Sequence, residues 1–279
     1  TSRSKGSNGG GIPMCGVPFH AVDGYIARLV RKGFRVAICD QVEDPRKAKG
    51  LVKREVVRVV SPGTLTDAGY LDAREPAFLM ALAPRGETVG AALLDLSTGE
   101  FSAAEYVGPD GAQALADELA VLKPREIIVP AGEIPGQPSP AALASCPAIA
   151  EPAFSVTPVE GWAFDDEAAR RMLLDQLHAG ALEGFGLDRH PAAVAAAGAL
   201  VHYLRGTQKV DLAHVRAISY RQRADSLLVD PITLKHLEIL EGSEGGREGS
   251  LLDELDRTAT SIGSRLLRSW LLRPLVALE

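Results

Sequence analysis

The stretch Gly11–Gly63 reads GIPMCGVPFHAVDGYIARLVRKGFRVAICDQVEDPRKAKGLVKREVVRVVSPG. A loop rich in proline and glycine, Pro13 to Pro18, opens it. Val22, Tyr25, Ile26, Leu29 and Val30 then recur at i, i+3, i+4, i+7 and i+8, which predicts an amphipathic helix over 21–32. Gly33 is placed to end that helix, since glycine accepts the left-handed conformation of a C-terminal stop. Phe34 to Cys39 reads as a buried strand, Pro45 to Lys53 as a basic loop, and Glu55 to Val60 as a second strand closed by Ser61-Pro62-Gly63.

Upstream, Thr1 to Gly11 is polar and glycine-rich and reads as a flexible loop, cut on its leading side. Downstream, Thr64 to Pro76 reads as a linker, and a new unit begins at Ala77. Residues 77–82, 88–96 and 101–107 read as three strands, the last two joined by the turn Ser97–Glu100. Residues 110–123 read as a helix with Leu115, Leu119 and Leu122 on one side, and 126–129 as a short strand. This β-β-β-α-β order predicts an α/β sandwich. Residues 130–158 hold seven prolines and read as one long irregular loop. Residues 165–178 and 191–204 read as helices, with Gly206 stopping the second. Asp230 and Pro231 suit the cap and first turn of a helix running to Leu240. Gly242–Gly249 is a glycine-rich loop, Ser250 caps a short helical stretch with Asp253 three residues on, and 262–272 is a last helix before Pro274. Leu278-Glu279 fits a cloning remnant. The chain shows no internal repeat.

With 279 residues, 46% of them apolar, the chain can build two domains, or one domain and part of another. No apolar run approaches the ~18 residues of a membrane span, and the polar start is unlike a secretory signal. Cys15, Cys39 and Cys146 have no CxxC spacing, so neither a zinc site nor a disulfide framework is expected, and a reducing, cytoplasmic setting fits. The six histidines are dispersed, and no catalytic or metal-binding set is assigned. Gly242–Ser250 contains Arg247 but not the Gly-Lys-Ser/Thr of a phosphate-binding loop. The net charge of −6 hides a division. Residues 1–62 hold twelve Lys/Arg against five Asp/Glu, and the rest hold eighteen against thirty-one. A basic segment on an acidic chain points to a polyanion site, or to a solvated face that is rich in Lys and Arg. In the same stretch, Met14 suits either of two roles: a wedge against base steps in a minor groove, or packing beneath its own loop.

Gly16–Val22 (GVPFHAV), Ala37–Val42 (AICDQV) and Val56–Thr64 (VVRVVSPGT) resemble the mismatch-recognition domain of the MutS family of DNA mismatch repair proteins. Residues 251–271 carry Leu-Leu-x-x-Leu-Asp-x-Thr-x-Thr-x-x-Gly-x-Arg-Leu-Leu-x-x-Trp-Leu and resemble the start of that family's core, or lever, domain. The resemblance implies an α/β chain in three parts. Residues 1–62 would be part of a mixed α/β mismatch-recognition domain, 66–208 a ribonuclease H-like connector, and 225–279 the first helices of an α-helical core. It implies that Pro13, Met14 and Cys15 lie at the DNA groove, with Arg3 and Lys5 near the backbone and His20 tying the loop to the helix. It also implies partners: duplex DNA with mispaired or unpaired bases, a MutL-type protein and, in the full-length form, a second copy in a homodimer, but no membrane. ATP and Mg belong to the full-length family protein, and no cofactor is expected on residues 1–279. The family's Phe-x-Glu reader of the mispaired base is absent, and neither Phe19 nor Phe34 has Glu two residues on.

Two other function classes compete with a non-catalytic DNA-binding and connector scaffold. One is a metal-dependent nuclease of the ribonuclease H-like kind, resting on Asp95 with Glu100 and Glu105 nearby; it needs several converging carboxylates. The other is a pure protein-interaction module.

Overall fold

A computed structural model describes residues 2–5, 11–13, 16–44, 52–64, 73–208, 212–222, 226–227 and 229–277. The first part begins with β1 (Ser2–Lys5) paired antiparallel to β2 (Gly11–Pro13). A 3-10 turn over Phe19–Ala21 leads into α1 (Val22–Arg31), and Gly33 follows at φ +83°, the left-handed stop expected there. Ala27 and Val30 are buried, whereas Tyr25 and Leu29 remain nearly half exposed, so the apolar stripe of α1 is only partly covered. β3 (Val36–Gln41) and β4 (Arg54–Val60) form an antiparallel pair. The strand expected at 34–39 thus starts two residues later, and it is largely exposed because only one edge and part of one face are covered.

The central unit is a three-layer sandwich. β5 (Phe78–Arg85), β6 (Thr88–Asp95) and β7 (Glu100–Val107) form an antiparallel meander. α2 (Gly108–Leu122) crosses to β8 (Glu126–Pro130), which pairs parallel to β5. Alternate residues of β6 point into two separate cores, and for that reason the run VGAALL between Thr88 and Asp95 is apolar throughout rather than alternating. Leu115 and Leu119 of α2 close one core.

The segment 130–158 is not one irregular loop. It forms α3 (Pro140–Ser145), a 3-10 turn over Pro147–Ala150 and β9 (Val156–Val159), parallel to β8. Its prolines sit where a missing N–H costs little: Pro140 in the first turn of α3, Pro147 opening the 3-10 turn, Pro158 on an edge strand.

α4 (Asp166–Leu177) and α5 (Pro191–Gln208) cover the other core. α5 runs through Gly206, its expected stop. Its last turn is held from outside, with Gln208 Nε2 donating to Val59 O at 3.3 Å. Close approach sets its position: a Cβ on Gly198 would lie 2.4 Å from Ala169 Cα of α4, and one on Gly90 would lie 1.9 Å from Ala192 O. β10 (Ser219–Tyr220), an element not expected from the sequence, then pairs parallel to β7. The sheet order is β10-β7-β6-β5-β8-β9. Its first five strands in chain order thus lie 3-2-1-4-5, three antiparallel and two parallel, the ribonuclease H-like arrangement within a mixed α/β fold.

The last part holds α6 (Pro231–His236), α7 (Leu251–Leu255) and α8 (Ser261–Leu272), capped by the side chains of Asp230, Ser250 and Thr260. α6 ends four residues before the expected Leu240. Glu238 takes φ +51°, and the carbonyls of Glu238 and Ile239 accept from Leu251 N and Leu252 N instead of continuing the helix.

Candidate nucleic-acid interface

The β1–β2 ribbon places three of the five expected DNA-contacting residues on one element. Ser2 pairs with Pro13 and Lys5 with Gly11, so Arg3 and Lys5 run alongside Pro13. Met14 and Cys15 lie outside the described residues, as do Arg46, Lys47 and Lys49 of the basic loop. His20 is exposed, and the turn it occupies is closed by backbone, with Ala21 N donating to Pro18 O at 2.9 Å. The tie between loop and helix is therefore a main-chain one. Phe19 and Phe34 are 93% and 58% exposed. On α1 the Arg28 guanidinium lies 4.7 Å above the Tyr25 ring, and just ahead of β4 Lys53 pairs with Glu55 at 2.6 Å.

The carboxylates that a nuclease would need do not converge. Asp95 and Glu100 face each other across the β6–β7 turn, but Glu105 pairs with Gly90, five residues along the ladder. The Asp95 side chain is 2% exposed; its Oδ1 accepts from Ser97 N at 2.9 Å, and its Oδ2 pairs with Arg265 Nη1 at 3.0 Å. Glu105 Oε1 accepts from Ala192 N and Ala193 N at 2.8 and 3.1 Å, capping α5 from the neighbouring sheet. No group of three or more His, Cys, Asp or Glu able to hold a metal ion occurs among the described residues.

The functional features that sequence reasoning missed are joints. Glu118 of α2 is approached by Arg221 Nη2 at 2.9 Å, as an ion pair, and by Arg273 Nη2 at 2.5 Å, while the Tyr106 hydroxyl donates to its other oxygen. Burial pushes the Glu118 pKa up, but the two guanidiniums and the Tyr106 hydroxyl outweigh it and hold the carboxyl below its ordinary value. Burial and the adjacent Glu118 charge push the Tyr106 phenol up. Arg265 ties α8 to the sandwich through Asp95 and to the segment ahead of β5 through Ala73 O at 2.8 Å. Asp256 gathers Thr258, Ser264 and Arg247 into a knot between α7 and α8. Glu126, fully buried, accepts from both the first part and the central unit. The one faint sign of it in the sequence is an acidic residue heading the apolar run EIIVP.

The ribbon, the 3-2-1-4-5 sheet and the capped helices therefore follow one another along one chain. The family model described as MutS domain II matches residues 77–216. The chain belongs to the MutS family. The models described as MutS domain I and MutS domain III match residues 1–69 and 232–279. Proteins named DNA mismatch repair protein MutS from Symbiobacterium thermophilum and Myxococcus xanthus are each 43% identical, over 284 and 285 residues, and cover 100% of this chain. The MutS from Solibacter usitatus is 43% identical over 280 residues, covering 98% of the chain. The chain spans 31% of the length of the Symbiobacterium and Solibacter relatives and 30% of the Myxococcus one. Among the described residues, no helix is long and apolar enough to cross a membrane.

Proposed function

We propose that this chain supplies a DNA-contacting surface and the connector of a mismatch-repair protein, and that its residues bind and couple rather than catalyse. The carrying observation is the antiparallel pairing of 2–5 with 11–13 inside the stretch matched by MutS domain I. Arg3 and Lys5 neutralise phosphates, and Pro13, with Met14 and Cys15 beyond it, faces the groove. The surplus of basic residues in 1–62 supports this reading. The central unit relays the contact and meets a MutL-type partner. In the full-length protein, ATP, Mg and a second copy would complete the assembly. The nuclease reading loses its support because Asp95 is held by Arg265.

The test is fluorescence anisotropy of a G·T duplex and its paired control over a range of salt. Weak, salt-sensitive binding is expected, with log K falling by about 0.9 per neutralised phosphate for each decade of salt. No preference for the mispaired duplex is expected, because the chain has no Phe-x-Glu reader. Absence of binding at low salt would sink the reading. A clear preference for the mispaired duplex would show that mismatch recognition resides within this chain.

A further inference from the structure

The strongest unassigned feature is the site where β4 leaves the first part and enters the sandwich. Val60, Ser61 and Thr64 are buried there, although the turn joins two folded parts and would ordinarily be exposed. The turn closes on itself: Ser61 N donates to Thr64 Oγ1 at 2.8 Å and Thr64 N to Ser61 O at 3.1 Å. Its outward-facing donors converge on one carboxylate of the central unit. Glu126 Oε2 accepts from Ser61 Oγ at 2.5 Å and from Gly63 N at 3.0 Å. Glu126 Oε1 accepts from Thr157 Oγ1 at 2.6 Å and from Tyr203 OH at 2.7 Å. One oxygen thus serves the first part and the other serves the sandwich. Gly63 is pressed close, since a Cβ there would lie 2.8 Å from Leu79 Cδ1 and 2.9 Å from Glu126 Cβ. Gln208 Nε2, at the end of α5, adds a bond to Val59 O.

We infer that Glu126 is a positioning residue that latches the β4 exit turn onto the connector and so sets the direction in which the DNA-contacting part is presented. A buried carboxylate needs its acceptor sites filled. The turn supplies two of the four donors, so swinging the first part away would leave Oε2 without them. The latch holds by chemistry as well as by packing: Ser61 must bring a hydroxyl, and Gly63 must bring an N–H without a side chain. The inference rests on the proposed function only in naming what the presented part does.

The test uses the full 279-residue chain without DNA, so its failure is distinguishable from failure of the DNA reading. Hydrogen exchange followed by NMR reads the latch at the Gly63 amide. Glu126→Gln is expected to speed exchange there by ~10-fold or more, the order for losing a hydrogen bond to a charged acceptor. Ser61→Ala is expected to act in the same direction, and Ser61→Thr, which keeps the hydroxyl, to stay near the parent rate. Thr157→Val removes a donor on the sandwich side and should leave Gly63 protected. Presentation is read by energy transfer between dyes on Cys39 and on a cysteine at Glu133, in a Cys15→Ser background. Ser61→Ala should turn one narrow population into a broad one. An unchanged Gly63 rate in Ser61→Ala, or equal deprotection by Thr157→Val, would overturn the inference. So would an unchanged dye distribution in Ser61→Ala. If Glu126→Gln unfolds the sandwich, the Ser61 pair still decides.

Discussion

Glu118 shows how one residue fastens distant segments. Its carboxylate lies between Arg221, just past β10, and Arg273, at the end of α8, with the Tyr106 hydroxyl on the other oxygen. Glu118→Gln leaves two guanidiniums facing a neutral amide. A loss of roughly 3 kcal/mol in urea unfolding is expected, the low end for breaking a buried pair, because the Arg273 side chain stays about a third exposed. The pH dependence has a definite sign. Folding holds the Glu118 carboxyl below its ordinary value of 4.5, so its contribution is present above that value and is lost as pH falls through the lowered folded-state value. Glu118→Gln should flatten that part of the acid-stability curve. A variant curve parallel to the parent's would show that Glu118 is not the titrating joint.

Close approach governs the elements. α5 reads as a good alanine-rich helix, and Gly198 in its centre looks like an avoidable weakness, since alanine is favoured there by ~1 kcal/mol. Packing reverses the expectation. The added methyl would meet Ala169 Cα at 2.4 Å and Ala169 O at 2.5 Å, backbone atoms that cannot rotate away. Gly198→Ala should therefore destabilise the chain by about 1–3 kcal/mol through overpacking. Thermal unfolding checks this, and a raised midpoint would mean that α4 and α5 separate freely. Both helices were legible in the sequence, the first from its apolar face and the second from Pro191 at its start. That they touch at this glycine was not, because nothing local marks the facing residue.

For the whole molecule, the placement of β10 decides how much chain the sandwich needs. Leu212, Val215 and Ile218 are buried in the α4–α5 core, and Ser219–Tyr220 add the sixth strand beside β7. A fragment of residues 73–222 should unfold as one cooperative unit. A fragment ending at 208 should melt lower, since it loses three core side chains and an edge strand. Calorimetry on the two pieces tests this, and equal midpoints would place the unit's end at 208. The connector also presents two joints to its neighbours, Glu126 towards the first part and Glu118 with Asp95 towards the last.

The amino-acid sequence by itself determined the types of α1, of β3 to β8, of α2 and of α4 to α8, several of their ends and the family, whereas the strands β1 and β2 lie where it read a loop. Those signals are local: apolar spacing in α1, Gly33 after it, Asp230 and Ser250 ahead of α6 and α7, and the motif runs of the first and last parts. Helix and strand periods, caps and stops act over a few residues, so they are legible without a fold. The tertiary structure alone decided that 130–158 is ordered, that β9 and β10 extend the sheet, and that α6 stops at His236. It also decided which of many carboxylates are joints. Gly63 meets Glu126 across 63 residues, Arg273 meets Glu118 across 155, and Arg265 meets Asp95 across 170. Such pairs form only after the sheet order brings their strands and helices together, and a short polar residue in sequence looks the same whether it will face water or a buried arginine.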